Sequence, residues 1–268
     1  SFNILNALES SIHKAIHPKD KPVKIHIKLD TGMNRLGFEE KDLGALIKRI
    51  QMNNLLLPQS VFSHLAGSDN SELEEFSRQQ FEKFNYLAAQ LQQSCEQKLL
   101  RHILNSAGII KFPEYQMDMV RLGLGLYGLS PFPEEEKNLE NINKLKTCIT
   151  QIKTIQRGES VGYDRAFIAG RETQLATVAI GYADGVHRVL GNGKFAMTIN
   201  NKPCPIIGNV CMDMCMLDVS GIDCQEGDEV IVFDSQKKIR EMANIGQTIP
   251  YEILTGISQR VKRVYYKE

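Results

Sequence analysis

A chain of 268 residues with 42% hydrophobic content can bury a substantial core, as one large domain or two of medium size. Its 32 basic and 32 acidic residues cancel, so no overall field favours nucleic acid or an anionic membrane, and a small-molecule ligand is the expected partner. No apolar run approaches the roughly 20 residues that span a bilayer, and the opening SFNILNALESSIHKAIHPKDK has neither the basic start nor the apolar core of a signal peptide, so the expected location is cytoplasmic.

The first clear element, VKIHIKLD, alternates in a strand's period of two. Val23, Ile25, Ile27 and Leu29 share one face; Lys24, His26 and Lys28 share the other. On an edge strand the polar face is simply solvated. In a β/α barrel it looks inward and carries Lys28 and the following DTGMNRLG toward the mouth, where such folds keep their sites. The strand alone leaves both readings open. Beyond it the pattern predicts a helix near 40 to 52, a strand at SVFSHLA and a long helix from about 71 to 93. Ser71 and Glu74 stand at capping-box spacing, and apolar residues at 73, 76, 81, 84, 87, 88 and 91 mark a buried face. Strand-like runs follow at HILNSAG and MVRLGLGLYG, giving the rhythm of parallel β/α units. The last run sets a permanent cation, Arg121, at the head of an apolar stretch with glycines at 123, 125 and 128. A charge placed where little water is expected needs a reason.

After SPFPEEEKNLENINKL the character changes. ITQIKTIQ, ATVAIGYA, FAMTIN, VCMDMCMLDV and DEVIVFD are short runs separated by turn pairs, and this half reads as all-β. Internal repeats and low-complexity tracts are absent from the sequence. The six cysteines lack C-x-x-C spacing and are expected as free thiols. Cys211 and Cys215 in CMDMC would share a strand face, but two ligands do not close a metal site and no metal is expected.

Eight segments, IKLDTGMNRLGF, FSHLAGSD, NSAG, VRLGLGLYG, VGYDRAF, AIGYADGVHR, GNVCMDM and IPYEILTGISQRVKRVY, resemble in order and spacing the second part of alanine racemases, from about residue 25 to the end. The resemblance implies an α/β fold: the second half of a TIM-like β/α barrel over 1–130, binding the cofactor, then a mainly β C-terminal domain over 131–268. It implies a pyridoxal phosphate enzyme that works as a head-to-tail homodimer with shared active sites. The reaction implied is two-base interconversion of L- and D-alanine, supplying D-alanine for peptidoglycan.

Residue roles follow from the same resemblance. Arg121 matches the arginine facing the pyridine nitrogen, where a fixed cation disfavours protonation and makes the ring a poorer electron sink. Ser106 and the amides of Gly123 and Leu124 match the phosphate cradle, with Tyr251 beside it. His64 matches the histidine that holds Arg121; read alone, it would more often be a satisfied core residue. Arg35 matches a contact to the ring oxygen and the substrate carboxylate. Lys28 matches a lysine carbamylated in many relatives; unmodified, it would repel Arg35. Tyr163 matches the base that removes the α-proton of L-alanine across the dimer interface, and Met212 the residue whose amide binds the substrate carboxylate. Tyr182, Asp69 and Arg188 match the access corridor. Asn209 departs from the pattern, which often has arginine there.

The resemblance also carries an absence. Such racemases hold their cofactor on a lysine in a motif like VKADAYGHG, and no lysine of this sequence has that context. It implies that the N-terminal half of the barrel, with its Schiff-base lysine, is missing, lying on a longer polypeptide such as a fusion with a Mur-type cell-wall ligase, or on a separate N-terminal segment. The isolated chain is then expected to be inactive. The competing function is a non-catalytic remnant of the racemase fold, kept for dimerisation or ligand binding.

Overall fold

The alternation in VKIHIKLD produces β1 (Val23–Lys28), with Ile27 buried and Lys24 and His26 exposed. The protein is seen in a computed structural model that describes residues 1–14 and 21–266, so residues 15–20 of the opening stretch lie outside the described residues. It divides into two units, Ser1–Leu126 with Ser130–Glu135, and Tyr127–Leu129 with Glu136–Glu268.

In the first unit β1 pairs in parallel with β2 (Leu56–Phe62), and β2 in parallel with β3 (Leu100–His102), in the order β1-β2-β3. The register of the first pair slips between Ile25 and His26, beside Pro58, which has no N–H to donate. Parallel neighbours need crossovers, and α2 (Leu43–Gln51) and α3 (Glu74–Gln93) supply them. They bury Leu46, Phe84, Leu87 and Leu91 in one core with Ile27 and Val61 of the strands. A further helix, α1 (Phe2–Lys14), opens the unit.

Several expected elements are corrected here. β2 starts before SVFSHLA and ends at Phe62, so Ser63–Ala66 is the loop that follows it. The helix near 71 is capped by Asn70, whose side chain accepts from Glu72 N at 2.9 Å, ahead of a 3-10 turn at Ser71–Leu73; Ser71 is not the cap. Leu73 and Phe76 are exposed, and the inner face there is made by Ser77 and Gln80. HILNSAG gives only the three strand residues of β3, and its end starts α4 (Ser106–Lys111). MVRLGLGLYG forms no strand: it runs irregularly into a 3-10 turn, Leu124–Tyr127. With Arg121, Gly123 and Gly125 at alternate positions, one face of that run has no apolar side chains to bury.

The second unit is a closed barrel in the order β10-β7-β4-β11-β8-β9. Its strands are β4 (Leu145–Ile155), β7 (Thr173–Val178), β8 (Ala196–Ile199), β9 (Lys202–Ile207), β10 (Cys215–Asp218) and β11 (Glu229–Phe233), all antiparallel to their neighbours. A two-stranded hairpin, β5 (Ser160–Val161) with β6 (Phe167–Ile168), stands beside it. Two helices, α5 (Gln236–Ile245) and α6 (Pro250–Thr255), qualify the all-β expectation. VCMDMCMLDV is a strand only from Cys215. Residues 211–214 form a turn in which Cys211 N donates to Met214 O at 2.9 Å, so the two cysteines do not share a strand face. All six cysteines are free. Among the described residues no helix is long and apolar enough to cross a membrane.

Candidate active site

Arg121 is held by acceptors alone. Its Nη1 donates to His102 Nδ1 at 2.6 Å; its Nη2 reaches Ser63 O at 2.6 Å, His64 Nδ1 at 3.1 Å and Ile103 O at 3.2 Å. No carboxylate pairs with it among the described residues, which removes the salt-bridged structural arginine as an explanation. An arginine N–H can only donate, so Nδ1 of each histidine accepts and the ring proton sits on Nε2. Burial, and then the charge of Arg121, pull both rings from 6.5 down to about 4, so they are neutral at neutral pH. Burial also lowers Arg121, but from so high a value that it stays charged.

His102 had no sequence-level role and is the shorter of the two imidazole contacts. Its ring stacks on Phe62 with centroids 5.0 Å apart, and its Nε2 meets Ser60 Oγ at 3.3 Å. Ser60 Oγ in turn lies 2.6 Å from His26 Nδ1. The signal was the polar face of neighbouring strands: His26, Ser60 and His102 come from β1, β2 and β3, and only their register shows that they align.

Further cations stand near Arg121. Lys28 Nζ lies 5.9 Å from the Phe62 ring centre and the Arg121 guanidinium carbon 5.4 Å from it. Burial first, then Arg35 and Arg121, lower the Lys28 pKa. Arg35 rides on a closed loop: Asp30 N donates to Phe38 O and Phe38 N to Lys28 O, while Asp30 Oδ1 accepts from Gly32 N and Asn34 N. Gly37 makes closure possible, with φ of 136° and a position where a Cβ would lie 2.6 Å from Asp30 N.

Ser106 begins α4, where Asn105 Oδ1 accepts Gly108 N at 2.9 Å and takes the Ser68 hydroxyl at 2.8 Å. Ser106 Oγ accepts Gly123 N at 2.9 Å and Gly125 N at 3.4 Å. Both amides point at the Ser106 hydroxyl oxygen, so three polar groups that can donate to an anion without adding a titrating group lie side by side. Gly125 was not among the expected cradle residues. Asp69 is exposed on the loop before α3.

The remaining expected residues belong to the second unit. Tyr163 is exposed in the turn between β5 and β6. It lines an open depression of about 590 Å³ with Lys153, Ser160, Thr177, Cys211 and Met216. Arg188 and Asn209 both reach Asp164, next to Tyr163, at 3.3 and 3.1 Å. Tyr182 N donates to Cys211 O and Ala183 N to Met212 O, both at 3.0 Å, which sets the Tyr182 and Met212 loops side by side. Tyr251 lies on α6.

The alanine racemase N-terminal domain matches residues 3–131, and the alanine racemase C-terminal domain matches residues 142–265. Over 261 residues the chain is 40% identical to the alanine racemase of Helicobacter acinonychis (strain Sheeba), covering 91% of this chain and 68% of that protein. The chain belongs to the alanine racemase family.

It is also 38% identical over 266 residues to alanine racemase 1 of Clostridium acetobutylicum, covering 96% of this chain and 68% of that one. Among solved structures it superposes on alanine racemase from Bartonella henselae, which carries covalently bound pyridoxal phosphate, with a TM-score of 0.83 at 30% identity, over 99% of this chain and 72% of that chain. For alanine racemase from Streptomyces lavendulae the TM-score is 0.89 at 29% identity, over 100% and 72%. Matches to both racemase domains correct one expectation: a remnant lacking half of the first domain and split from a ligase fusion finds no support in them.

Proposed function

We propose that this chain carries pyridoxal 5'-phosphate and serves the interconversion of L- and D-alanine. The observation that carries this reading is Arg121, a partly buried guanidinium with neutral acceptors and, among the described residues, no acid partner, in the same unit as the Ser106 hydroxyl and the two backbone amides gathered on it. That donor set fits a phosphorylated pyridine: Ser106, Gly123, Leu124 and Tyr251 would hold the phosphate, and Arg121 would face the ring nitrogen and keep it unprotonated. When bound, the cofactor makes the α-hydrogen of a substrate amino acid acidic.

Each residue of the chain then has a task. His64 holds Arg121 by accepting from it. Arg35 and the Met212 amide bind the substrate carboxylate. Tyr163 accepts the α-proton of L-alanine, acting across the interface of a homodimer; a phenol of ordinary pKa near 10 needs cationic or hydrogen-bonding neighbours to do so. Lys28, with its pKa lowered by burial and two arginines, keeps more neutral amine, which favours carbamylation, and the resulting anion would brace Arg35. Tyr182, Asp69 and Arg188 line a corridor that admits small side chains. The product serves peptidoglycan in the cytoplasm.

The expected inactivity of the isolated chain rested on a missing half of the barrel, and the matches to both racemase domains give it no support. The test is cofactor binding by absorbance for the full chain and for Ser106→Ala, with assay of α-proton exchange and mapping of any lysine fixed by borohydride. Binding that weakens in Ser106→Ala supports the cradle; binding indifferent to Ser106 overturns it. A borohydride-stable adduct on a lysine of this chain, together with α-proton exchange, supports the racemase reading, and absence of both overturns it.

A further inference from the structure

The turn that carries Tyr163 is unusual in its backbone. Gly162 has φ of 73°, Asp164 62° and Arg165 48°, so two non-glycine residues in succession sit in the left-handed region that L side chains resist. Conformations of this kind persist only where the surroundings over-determine them. The surroundings here can be named. Asn209 Nδ2 donates to Tyr163 O and to Asp164 Oδ2, both at 3.1 Å. Arg188 Nη2 reaches the same Asp164 oxygen at 3.3 Å, and Arg165 Nε donates to Ser160 Oγ at 3.1 Å. The backbone of Asn209 also closes on the turn: a Cβ at Gly162 would lie 3.7 Å from its N and its O.

The amide of Asn209 is oriented from both ends. Its Oδ1 accepts from Asn192 Nδ2 at 3.0 Å, which leaves both Nδ2 hydrogens for the turn. Asn192 is itself left-handed, with φ of 58°. An aspartate at 209 has the same shape but only accepts, so it would face two acceptors, Tyr163 O and the Asp164 carboxylate. A lysine or arginine would donate to the turn but offer no acceptor to Asn192 Nδ2, so Asn192 would have to turn its amide over. The Asn209 amide meets both demands with Asn192 as it stands.

We propose that Asn209 is a positioning residue for Tyr163: its side-chain amide, aligned by Asn192, locks the left-handed turn at Asp164 and Arg165 and so fixes where the Tyr163 phenol is presented. The inference deepens the racemase reading and rests on it for the role of the phenol, but the locking of the turn stands on its own. Arg188, the other brace, acts through a solvent-exposed ion pair to Asp164, whose own side chain is also largely exposed, and such pairs contribute little. Asn209 grips the main chain of Tyr163 directly.

Ala166 N reports on the lock, because it closes the turn onto the same Tyr163 carbonyl at 3.3 Å. In the full chain, Asn209→Asp and Asn209→Ala should speed amide exchange at Ala166 about tenfold or more, with Asn192→Ala giving a smaller change, while barrel amides of β4 and β7 keep their protection. Unchanged exchange at Ala166 in a folded Asn209→Asp overturns the proposal, whatever the chain's activity. In racemase assays, Asn209→Ala should lower kcat for L-alanine about tenfold with KM within about twofold, and should cost nothing further in a Tyr163→Phe background. Full additivity with Tyr163→Phe also overturns it. Faster exchange at Ala166 with no effect on turnover upholds the lock and overturns the role of Tyr163 in the racemase reading.

Discussion

At the scale of single residues, the chemistry turns on groups whose charge is decided by neighbours. Arg121 has four acceptors and, among the described residues, no acid partner, so its removal takes a donor from Ser63 O and Ile103 O. Arg121→Met is therefore expected to destabilise the folded chain by about 1–3 kcal/mol, read as a lower urea midpoint with an unchanged slope. A change much under 1 kcal/mol would mean that water replaces the guanidinium. Tyr163 is exposed, so Tyr163→Phe should leave stability alone. In exchange assays it should slow loss of the α-proton from L-alanine far more than from D-alanine, because each base serves one face of the α-carbon. Equal loss from both enantiomers would remove Tyr163 from the role.

At the scale of elements, the site depends on where secondary structure stops. β1 ends at Lys28 and the loop that follows closes back on it; β3 ends at His102, and α4 starts four residues later with Ser106 in its first turn. Asn105→Ala removes the cap on Gly108 N and the partner of the Ser68 hydroxyl, and should cost about 1 kcal/mol in thermal or urea unfolding. Gly37→Ala places a Cβ 2.6 Å from Asp30 N at a φ of 136°. Backbone in that region strains an L side chain by roughly 1–3 kcal/mol, and relief requires the loop bearing Arg35 to open. Protease cleavage within residues 31–37 should rise in this variant; an unchanged digestion pattern would show that the loop tolerates the clash.

At the scale of the whole molecule, stability acquires a pH dependence from the two histidines around Arg121. Their folded values, about 4, lie below the ordinary 6.5, so between these limits the unfolded chain binds more protons than the folded one. The contribution is complete above about pH 6.5 and is lost as pH falls toward about 4. Melting temperature should therefore drop between about pH 7 and about pH 4.5, and the drop should shrink in a His64→Asn/His102→Asn double variant. An equal drop in that variant would assign the acid sensitivity to other groups.

Local pattern determined a good deal of this. The alternation of Val23 to Leu29, the helices near 40 and 71 and the change of character after residue 130 can all be read without a fold, because they rest on side-chain period and short-range spacing, and the ordered motifs are legible by their resemblance to alanine racemases. Tertiary structure decided the rest. Arg121 lies in a run whose glycines erase one strand face, so its neighbours come from two other segments: Ser63 and His64 after β2, and His102 at the end of β3 with Ile103 next to it. Strand register sets His26 beside Ser60 and His102 beside Phe62, from where His102 reaches Ser60 diagonally, and a one-residue slip would turn these side chains to the other face. Ser71 lost the cap to Asn70 because a 3-10 turn comes first, and Gln80 took an apolar residue's place in the α3 face because Ala66 N and His64 O needed partners. Asn209 holds the Tyr163 turn from 46 residues away. Period is a property of neighbours along the chain, whereas a hydrogen bond across the fold depends on where backbone geometry brings distant segments together.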